Sequence, residues 1–200
     1  MENIINKSIK EVGLGYQSFM EIFRNQVENP NLDNSEELKY YENRKLNFQR
    51  TQKWMKTFNP SQELIYAVSL ISTLQTWMVI TETWCGDSAQ NTPIIVKAAS
   101  LNNKIKLRFV FRDENLDIMD RYLTNGSRSI PKLVVFNEKD SELFQWGPRP
   151  VEAQNLMIKM KSEGIQKDEI ITKLHLWYAK NRGTAVEKEL SELLKNLNKS

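Results

Sequence analysis

The chain has 200 residues, of which 40% are hydrophobic, and its 28 basic and 25 acidic side chains leave a formal net charge of +3. This apolar content excludes a disordered chain, and no apolar run is long enough to span a membrane. Charges are mixed, without a basic cluster among aromatic residues, so we expect no nucleic-acid or membrane partner. The first seven residues lack the apolar region of a signal peptide, and one unpaired cysteine suits a reducing compartment. We therefore expect a cytoplasmic protein.

The first third of the sequence predicts helices. Apolar residues spaced three and four apart indicate a first helix whose buried face holds Val12, Tyr16, Phe19, Met20, Phe23 and Val27. Residues 29–31 end this pattern, and Asn34 with Glu37 forms a capping box for a second helix that runs to Phe58. The residues of this second helix that we expect to face inward are Leu38, Tyr41 and Trp54.

The middle third begins with a helix and then changes to strand periodicity. Asn59 as N-cap and Pro60 at the first helical position predict the start of a third helix. Its apolar stripe is formed by Leu64, Ile65, Val68 and Ile71. Residues 77–80 are a continuous apolar run, which indicates a central strand covered on both faces. A helix is predicted after Cys85, with Pro93 inside it as a kink.

Alternating residues continue the strand pattern further along the chain. A strand is predicted over 105–111 and a short helix over 116–123. Two more strands, 133–136 and 143–146, are separated by a turn at 137–140. This order of elements predicts a sheet with parallel and antiparallel parts and with helices on both faces.

The last third is predicted to be helical again. Gly164 and Gly183 are expected to end helices, and Thr184 with Glu187 predicts the capping box of the final helix. One stripe comprises Ile170, Ile171, Leu174, Trp177 and Tyr178, and the other comprises Val186, Leu190, Leu193, Leu194 and Leu197. We divide the chain into a helical arm (1–59), an α/β domain (60–163) and a helical extension (164–200). The helical additions either cover the α/β domain or bind a partner.

The residues around the single cysteine resemble a known family. Trp84-Cys85-Gly86 resembles the active site of thioredoxin, and Pro93 matches the kink proline of the helix that follows it. The segment 128–136 resembles the thioredoxin segment whose proline, here Pro131, is cis. Segments 81–91, 112–115 and 146–150 are similar to a bacterial thioredoxin-like family with a W-C-G-D-S motif and a helical N-terminal extension. The resemblance implies a thioredoxin-like α/β fold, a central mixed sheet flanked by helices, with N- and C-terminal helical extensions.

Three positions depart from the thioredoxin pattern. Ser88 stands where the second cysteine of the C-x-x-C motif would be. Val79 replaces the buried acid of thioredoxins, and Phe109 stands where its lysine partner would lie. The groups that resolve a mixed disulfide within one chain are therefore absent, and the site is suited to half of the usual reaction.

Cys85 is the candidate catalytic residue, and Ser88 is expected to donate a hydrogen bond to its thiolate from one turn further on. Asp87 opposes the thiolate, whereas Arg112 is expected to offset Asp87, so the direction of the pKa shift of Cys85 stays open. One sulfur can form a mixed disulfide but cannot release it alone. We predict monothiol thiol–disulfide exchange with proteins or small molecules, with a low-molecular-weight thiol as co-reductant and no bound cofactor.

A substrate groove follows from the resemblance. The residues that would form it are Trp84, Gly86, Asp87, Arg112, Ile130, Pro131, Trp146 and Gly147. Core packing is the alternative for Trp146, and a small buried filler is the alternative for Cys85. The competing function is a redox-inactive binding module that uses this groove. No metal site is expected, because His175 has no companion ligands and reads as a surface or packing residue. An iron–sulfur cluster shared by two copies is disfavoured by the Cys-Gly-Asp-Ser sequence.

Overall fold

A four-stranded mixed sheet with helices on both faces forms the centre of the computed structural model, which describes residues 9, 12–31 and 33–197. The helices are α1 (Tyr16–Glu28), α2 (Ser35–Thr57), α3 (Gln62–Ser69), α4 (Gly86–Ala99), α5 (Leu116–Met119), α6 (Val151–Ser162), α7 (Lys167–Asn181) and α8 (Thr184–Leu197). The strands are β1 (Gln75–Thr81), β2 (Ile105–Phe111), β3 (Lys132–Phe136) and β4 (Glu142–Trp146). The strand order is β2-β1-β3-β4, with β1 parallel to β2 and antiparallel to β3, and β3 antiparallel to β4. The predicted mixed sheet is confirmed.

Strand β1 is covered on both faces, as its continuous apolar run predicted. Because successive side chains of a strand point to opposite faces, Trp77 and Val79 join one core cluster and Met78 and Ile80 join another. All four are fully buried. The second cluster also contains Cys85, so the sulfur lies at the edge of a packed apolar layer.

Helix α2 packs against the rest of the protein through a partly polar face. Leu38, which was expected to face inward, is 56% exposed, so that prediction is wrong. Arg44 and Asn47 are buried instead, because they bind the loop that precedes Cys85. Arg44 Nε donates to Thr83 Oγ1 at 3.2 Å, and Asn47 Nδ2 donates to the Thr83 carbonyl oxygen at 3.1 Å. These bonds tie α2 to the loop that precedes Cys85.

Two predicted helix caps are replaced by neighbouring residues. The cap of α3 is Ser61, not Asn59, and its Oγ accepts from the Leu64 N–H at 3.2 Å. The carboxylate of Glu187 accepts from the Ser61 N–H. The Glu187 side chain therefore accepts from the N-cap residue of α3 instead of completing the predicted capping box at the start of α8.

Helix α8 is capped from the preceding helix. The Asn181 side chain accepts from the Ala185 N–H at 3.0 Å, while Thr184 Oγ1 donates to the Asn181 carbonyl oxygen. By contrast, the predicted cap of α2 is confirmed, since Asn34 Oδ1 accepts from the Glu37 N–H at 3.2 Å. Within the described residues, no helix has the length and apolar character needed to cross a membrane.

Candidate functional site

Cys85 occupies the position immediately before α4, where the chain passes from β1 into the helix. It is 9% exposed, and its carbonyl oxygen accepts from the Ala89 N–H at 3.1 Å, which closes the first helical turn. Its Sγ donates to the Ile130 carbonyl oxygen at 3.4 Å. The Ile130–Pro131 peptide bond is cis, as the resemblance implied. The structure therefore brings the cysteine and the segment before β3 into direct contact.

The thiol of Cys85 is protonated at neutral pH in the resting protein. Burial, and after it the charge of Asp87, raises its pKa to about 11, although the hydroxyl of Ser88 and the backbone N–H groups of Ser88 and Asp87 act in the opposite direction. Desolvation outweighs the helix N-terminus here, because an ion loses more on leaving water than a few N–H groups supply. This settles the direction that the sequence left open.

Asp87 is held in a network that the sequence did not reveal. Its carboxylate forms an ion pair with Arg149, not with Arg112. Tyr178 Oη donates to Asp87 Oδ1 at 2.7 Å, and Asn91 Nδ2 donates to Tyr178 Oη at 3.1 Å. Burial and Asp87 raise the pKa of Tyr178, so its hydroxyl remains a donor. The network joins α4, the loop after β4 and α7.

Ser88 lies one turn after Cys85 and is 4% exposed. Its Oγ forms no hydrogen bond within the described part of the chain, so its proton is free to turn toward a thiolate. Thr81 Oγ1 and Thr92 Oγ1 are also buried without a hydrogen-bond partner among the described residues. All three residues line a void of about 10 Å³. A hydrogen bond from the Ser88 side chain to the thiolate lowers the pKa of the Cys85 thiol, in opposition to burial.

Trp84 is clamped between an aromatic ring and a cation. The Tyr40 ring stacks on it with centroids 4.8 Å apart, and the Arg112 guanidinium lies 4.8 Å from its centroid. Arg112 also pairs with Asp113 at 2.6 Å and donates to the Arg128 carbonyl oxygen. Arg112 therefore positions Trp84 and does not pair with Asp87.

The cysteine opens into a cleft between α2 and α7 with a volume of about 430 Å³. The helical additions form its sides, although the sequence gave them no catalytic signal. The residues that line it are Lys39, Tyr40, Asn43, Asn47, Arg50, Trp84, Cys85, Gly86, Asp87, Lys167, Ile171, Leu174 and His175. Of the predicted groove, Trp84, Gly86 and Asp87 are in this cleft.

Trp146 and Gly147 line a different cleft, of about 370 Å³. Trp146 is 6% exposed and belongs to the core, and its Nε1 donates to Glu189 Oε2 at 2.6 Å. Core packing, the alternative stated for this residue, is what the structure shows. Ile130 and Pro131 are buried beside the sulfur.

Val79 and Phe109 are neighbours across β1 and β2, and both are buried. Phe109 stacks on Phe19 with ring centroids 4.5 Å apart. Apolar packing therefore occupies the positions where the resemblance to thioredoxin would place a buried acid and its lysine partner. A buried carboxyl occurs elsewhere, at Glu82, whose Oε1 accepts from the Asp113 N–H at 2.8 Å. Burial raises its pKa to about 7. Its place directly after β1 was the signal that could have revealed it, since side chains at strand ends often carry function.

His175 packs on the glycine of the motif. A Cβ on Gly86 would lie 3.0 Å from His175 Cε1 and 4.0 Å from Arg50 Nη1. Both side chains therefore reach the residue next to the cysteine, one from α7 and the other from α2. Among the described residues, no group of three or more His, Cys, Asp or Glu side chains is arranged to hold a metal ion.

Comparison with known proteins agrees with the fold described above. A family model described as Thioredoxin matches residues 33–161. The crystal structure of a protein of unknown function from Pseudomonas aeruginosa is 16% identical over 93% of this chain and 94% of that chain, with a TM-score of 0.62. An HIV epitope scaffold is 15% identical over 95% of this chain and 97% of that chain, with a TM-score of 0.63. No curated protein matches the sequence. At these identities the two structures show a shared fold.

Proposed function

Because the chain belongs to the thioredoxin family, we propose that it carries out thiol–disulfide exchange through the single sulfur of Cys85. The observation that supports the proposal is the position of this sulfur. It lies at the start of α4, 3.4 Å from the Ile130 carbonyl oxygen, on a cleft of about 430 Å³. A small disulfide has room to reach it there, and the N–H groups of the helix favour the thiolate that forms during exchange.

The reaction has two balanced steps. In the first, the Cys85 thiolate attacks one sulfur of a disulfide, a bond to Cys85 forms, and the other sulfur leaves as a thiolate that takes a proton from water. In the second, a low-molecular-weight thiolate attacks the mixed disulfide. Cys85 leaves as a thiolate, stabilised by the Ser88 hydroxyl, and the small thiol departs in a new disulfide. One disulfide is reduced and one small disulfide is formed in each cycle.

The raised pKa of Cys85 slows this reaction without preventing it. When a thiol pKa moves from 9.0 to about 11, the thiolate population at neutral pH falls about a hundredfold. A more basic thiolate attacks faster, and a Brønsted coefficient of about 0.4–0.5 raises the intrinsic rate about eightfold. The net result is attack about tenfold slower than by an ordinary cysteine. Such a site suits a pool of abundant small thiols, as in the cytoplasm, where we place the protein.

The test uses a cysteine peptide joined to glutathione by a disulfide, with free glutathione as co-reductant. We expect the protein to release the peptide faster than Cys85→Ser does, and we expect mass spectrometry to detect glutathione bound to Cys85. Circular dichroism establishes that both proteins are folded. Equal release rates for the two proteins would refute exchange.

A redox-inactive binding module is the second candidate. It is favoured by the burial of Cys85 and by the hydrogen bond that its thiol donates to Ile130. In that case the cleft at Cys85 binds a ligand and the cysteine is a packing residue. Equal release rates together with unreactive Cys85 under alkylation would support this function.

A further inference from the structure

Two cavities meet at the same pair of side chains. The cleft at Cys85 and a larger cavity of about 880 Å³ are both lined by Arg50 and His175. The larger cavity lies between α2 and α7 and reaches the start of α8. Its volume falls in the range of about 300–1,000 Å³ that is usual for small-molecule sites. Space for a ligand therefore extends beyond the sulfur itself.

Arg50 supplies an unpaired cation at this junction. Its guanidinium is half-buried and donates from Nη1 to Asn47 Oδ1 at 3.1 Å, but it has no carboxylate partner within the described residues. The nearby Asp87 is occupied by Arg149 and Tyr178. A guanidinium has five N–H donors and binds carboxylates in a bidentate manner. A half-buried guanidinium without a counter-ion has N–H donors left for an anion.

His175 presents a second donor at the same place. Trp54 Nε1, which can only donate, binds Gln90 Oε1 at 2.7 Å, so the Gln90 NH₂ group faces His175 Nδ1 at 3.2 Å. Nδ1 therefore accepts, and the proton of the neutral ring is on Nε2. That Nε2 lies 3.1 Å from where a Cβ on Gly86 would be. Burial and the charge of Arg50 lower the pKa of His175 to about 4, which keeps the ring in this neutral form.

The rest of the larger cavity has a cationic rim over an apolar lining. Lys53 and Arg182 add positive charge, and Trp54 and Phe58 add apolar surface. The acidic residue in its lining, Glu187, accepts a hydrogen bond from the Ser61 N–H. Charge and shape together favour a small molecule that has both a carboxylate and an apolar part.

We propose that Arg50 and the Nε2–H of His175 bind the carboxylate of a low-molecular-weight thiol or its disulfide, and so place its sulfur at Cys85. This inference rests on the proposed exchange function and names its substrate class. The ligand extends into the larger cavity beside Lys53. Gly86 is required because a side chain there would fill the space between the two donors and the sulfur.

The test measures binding separately from sulfur chemistry. Cys85→Ser protein is titrated calorimetrically with S-methylglutathione, which has carboxylates but no free thiol, and with its diethyl ester. We expect the acid to bind about tenfold more tightly than the ester, and Arg50→Gln to weaken binding of the acid about tenfold. Lys56→Gln is the matched control, because it removes one charge from the exposed side of α2 and lines neither cavity. We expect it to change the Kd less than about twofold.

Equal binding of acid and ester, or no binding of either, would overturn the anion site. So would unchanged binding in a folded Arg50→Gln protein. If that variant does not fold, the comparison of acid and ester still decides, since it leaves Arg50 and His175 in place. Selective binding of the acid by a protein that fails the peptide-release test would refute exchange and leave the anion site standing.

Discussion

Glu82 makes the stability of the fold depend on pH in a direction unusual for a carboxylate. Burial raises its pKa from the ordinary 4.5 to about 7, so between these values the folded protein holds a proton that the unfolded chain has lost. Stability from this group is therefore present below about pH 4.5 and is lost as the pH rises through about 7. At 1.36 kcal/mol for each pH unit, the ionised form costs about 3 kcal/mol above about pH 8.

The variant Glu82→Gln removes the ionisation and keeps the side-chain oxygen that accepts from the Asp113 N–H. We expect it to be more stable than the unsubstituted protein by about 3 kcal/mol near pH 8, and equal to it near pH 4. The assay is urea unfolding followed by tryptophan fluorescence at a series of pH values and constant ionic strength. Glu138→Gln, which removes an exposed carboxylate from the turn after β3, is the control.

His175 opposes Glu82 over nearly the same pH range. Its pKa is lowered from 6.5 to about 4, so its contribution is present above about pH 6.5 and is lost as the pH falls toward about 4. In the unsubstituted protein, the pH dependence of the unfolding free energy that comes from Glu82 partly cancels the one that comes from His175. Glu82→Gln should therefore lose stability on acidification more steeply than its parent. A parallel pH dependence of the two proteins would refute the reasoning, as would a variant that is less stable near pH 8.

Two further substitutions test the site and the loop beside it. Asp87→Asn should lower the pKa of Cys85, because the Asp87 carboxylate is the second cause, after burial, of the raised pKa. The pH dependence of iodoacetamide alkylation measures the pKa of Cys85. The control, Asp120→Asn, should leave that pKa unchanged. Gly147→Ala should destabilise the fold by about 2 kcal/mol or more, since φ is +112° and a Cβ would clash with the Pro131 carbonyl oxygen. Urea unfolding measures the loss, and Gly15→Ala, with nothing within 4 Å, is the control. An unshifted alkylation profile or an unchanged unfolding midpoint would contradict these assignments.

Local patterns predicted most helices and strands, because the spacing of apolar residues that distinguishes the two can be seen within a few consecutive residues. The apolar run at 77–80 became β1, and the alternation over 105–111 became β2. The helix after Cys85 is α4, with Pro93 inside it. Helix ends were less predictable, since Ser61 competes with Asn59 for the cap through a bond to a distant carboxylate.

The residues of the one short motif that the sequence singled out lie together in the structure. Trp84, Cys85, Gly86 and Asp87 line a single cleft, and Pro131 is cis beside the sulfur. Trp146 was misplaced in the groove because its apolar ring suits a binding surface and a core equally well. Residues that are consecutive in the chain necessarily lie close together, so the placement of the motif around Cys85 did not depend on a choice between surface and core.

The sequence by itself determined the order of elements, the position of the single cysteine and the presence of Ser88 where a second cysteine would complete a C-x-x-C motif. Only the tertiary structure decided which charges surround that sulfur. Asp87 and Arg149 are 62 residues apart, and Gln90 and His175 are 85 residues apart. Apolar periodicity shows which face of a helix is buried, but polar residues such as Arg50 follow no local pattern. Such residues come together only when α2 and α7 pack against α4, and that packing depends on the whole chain.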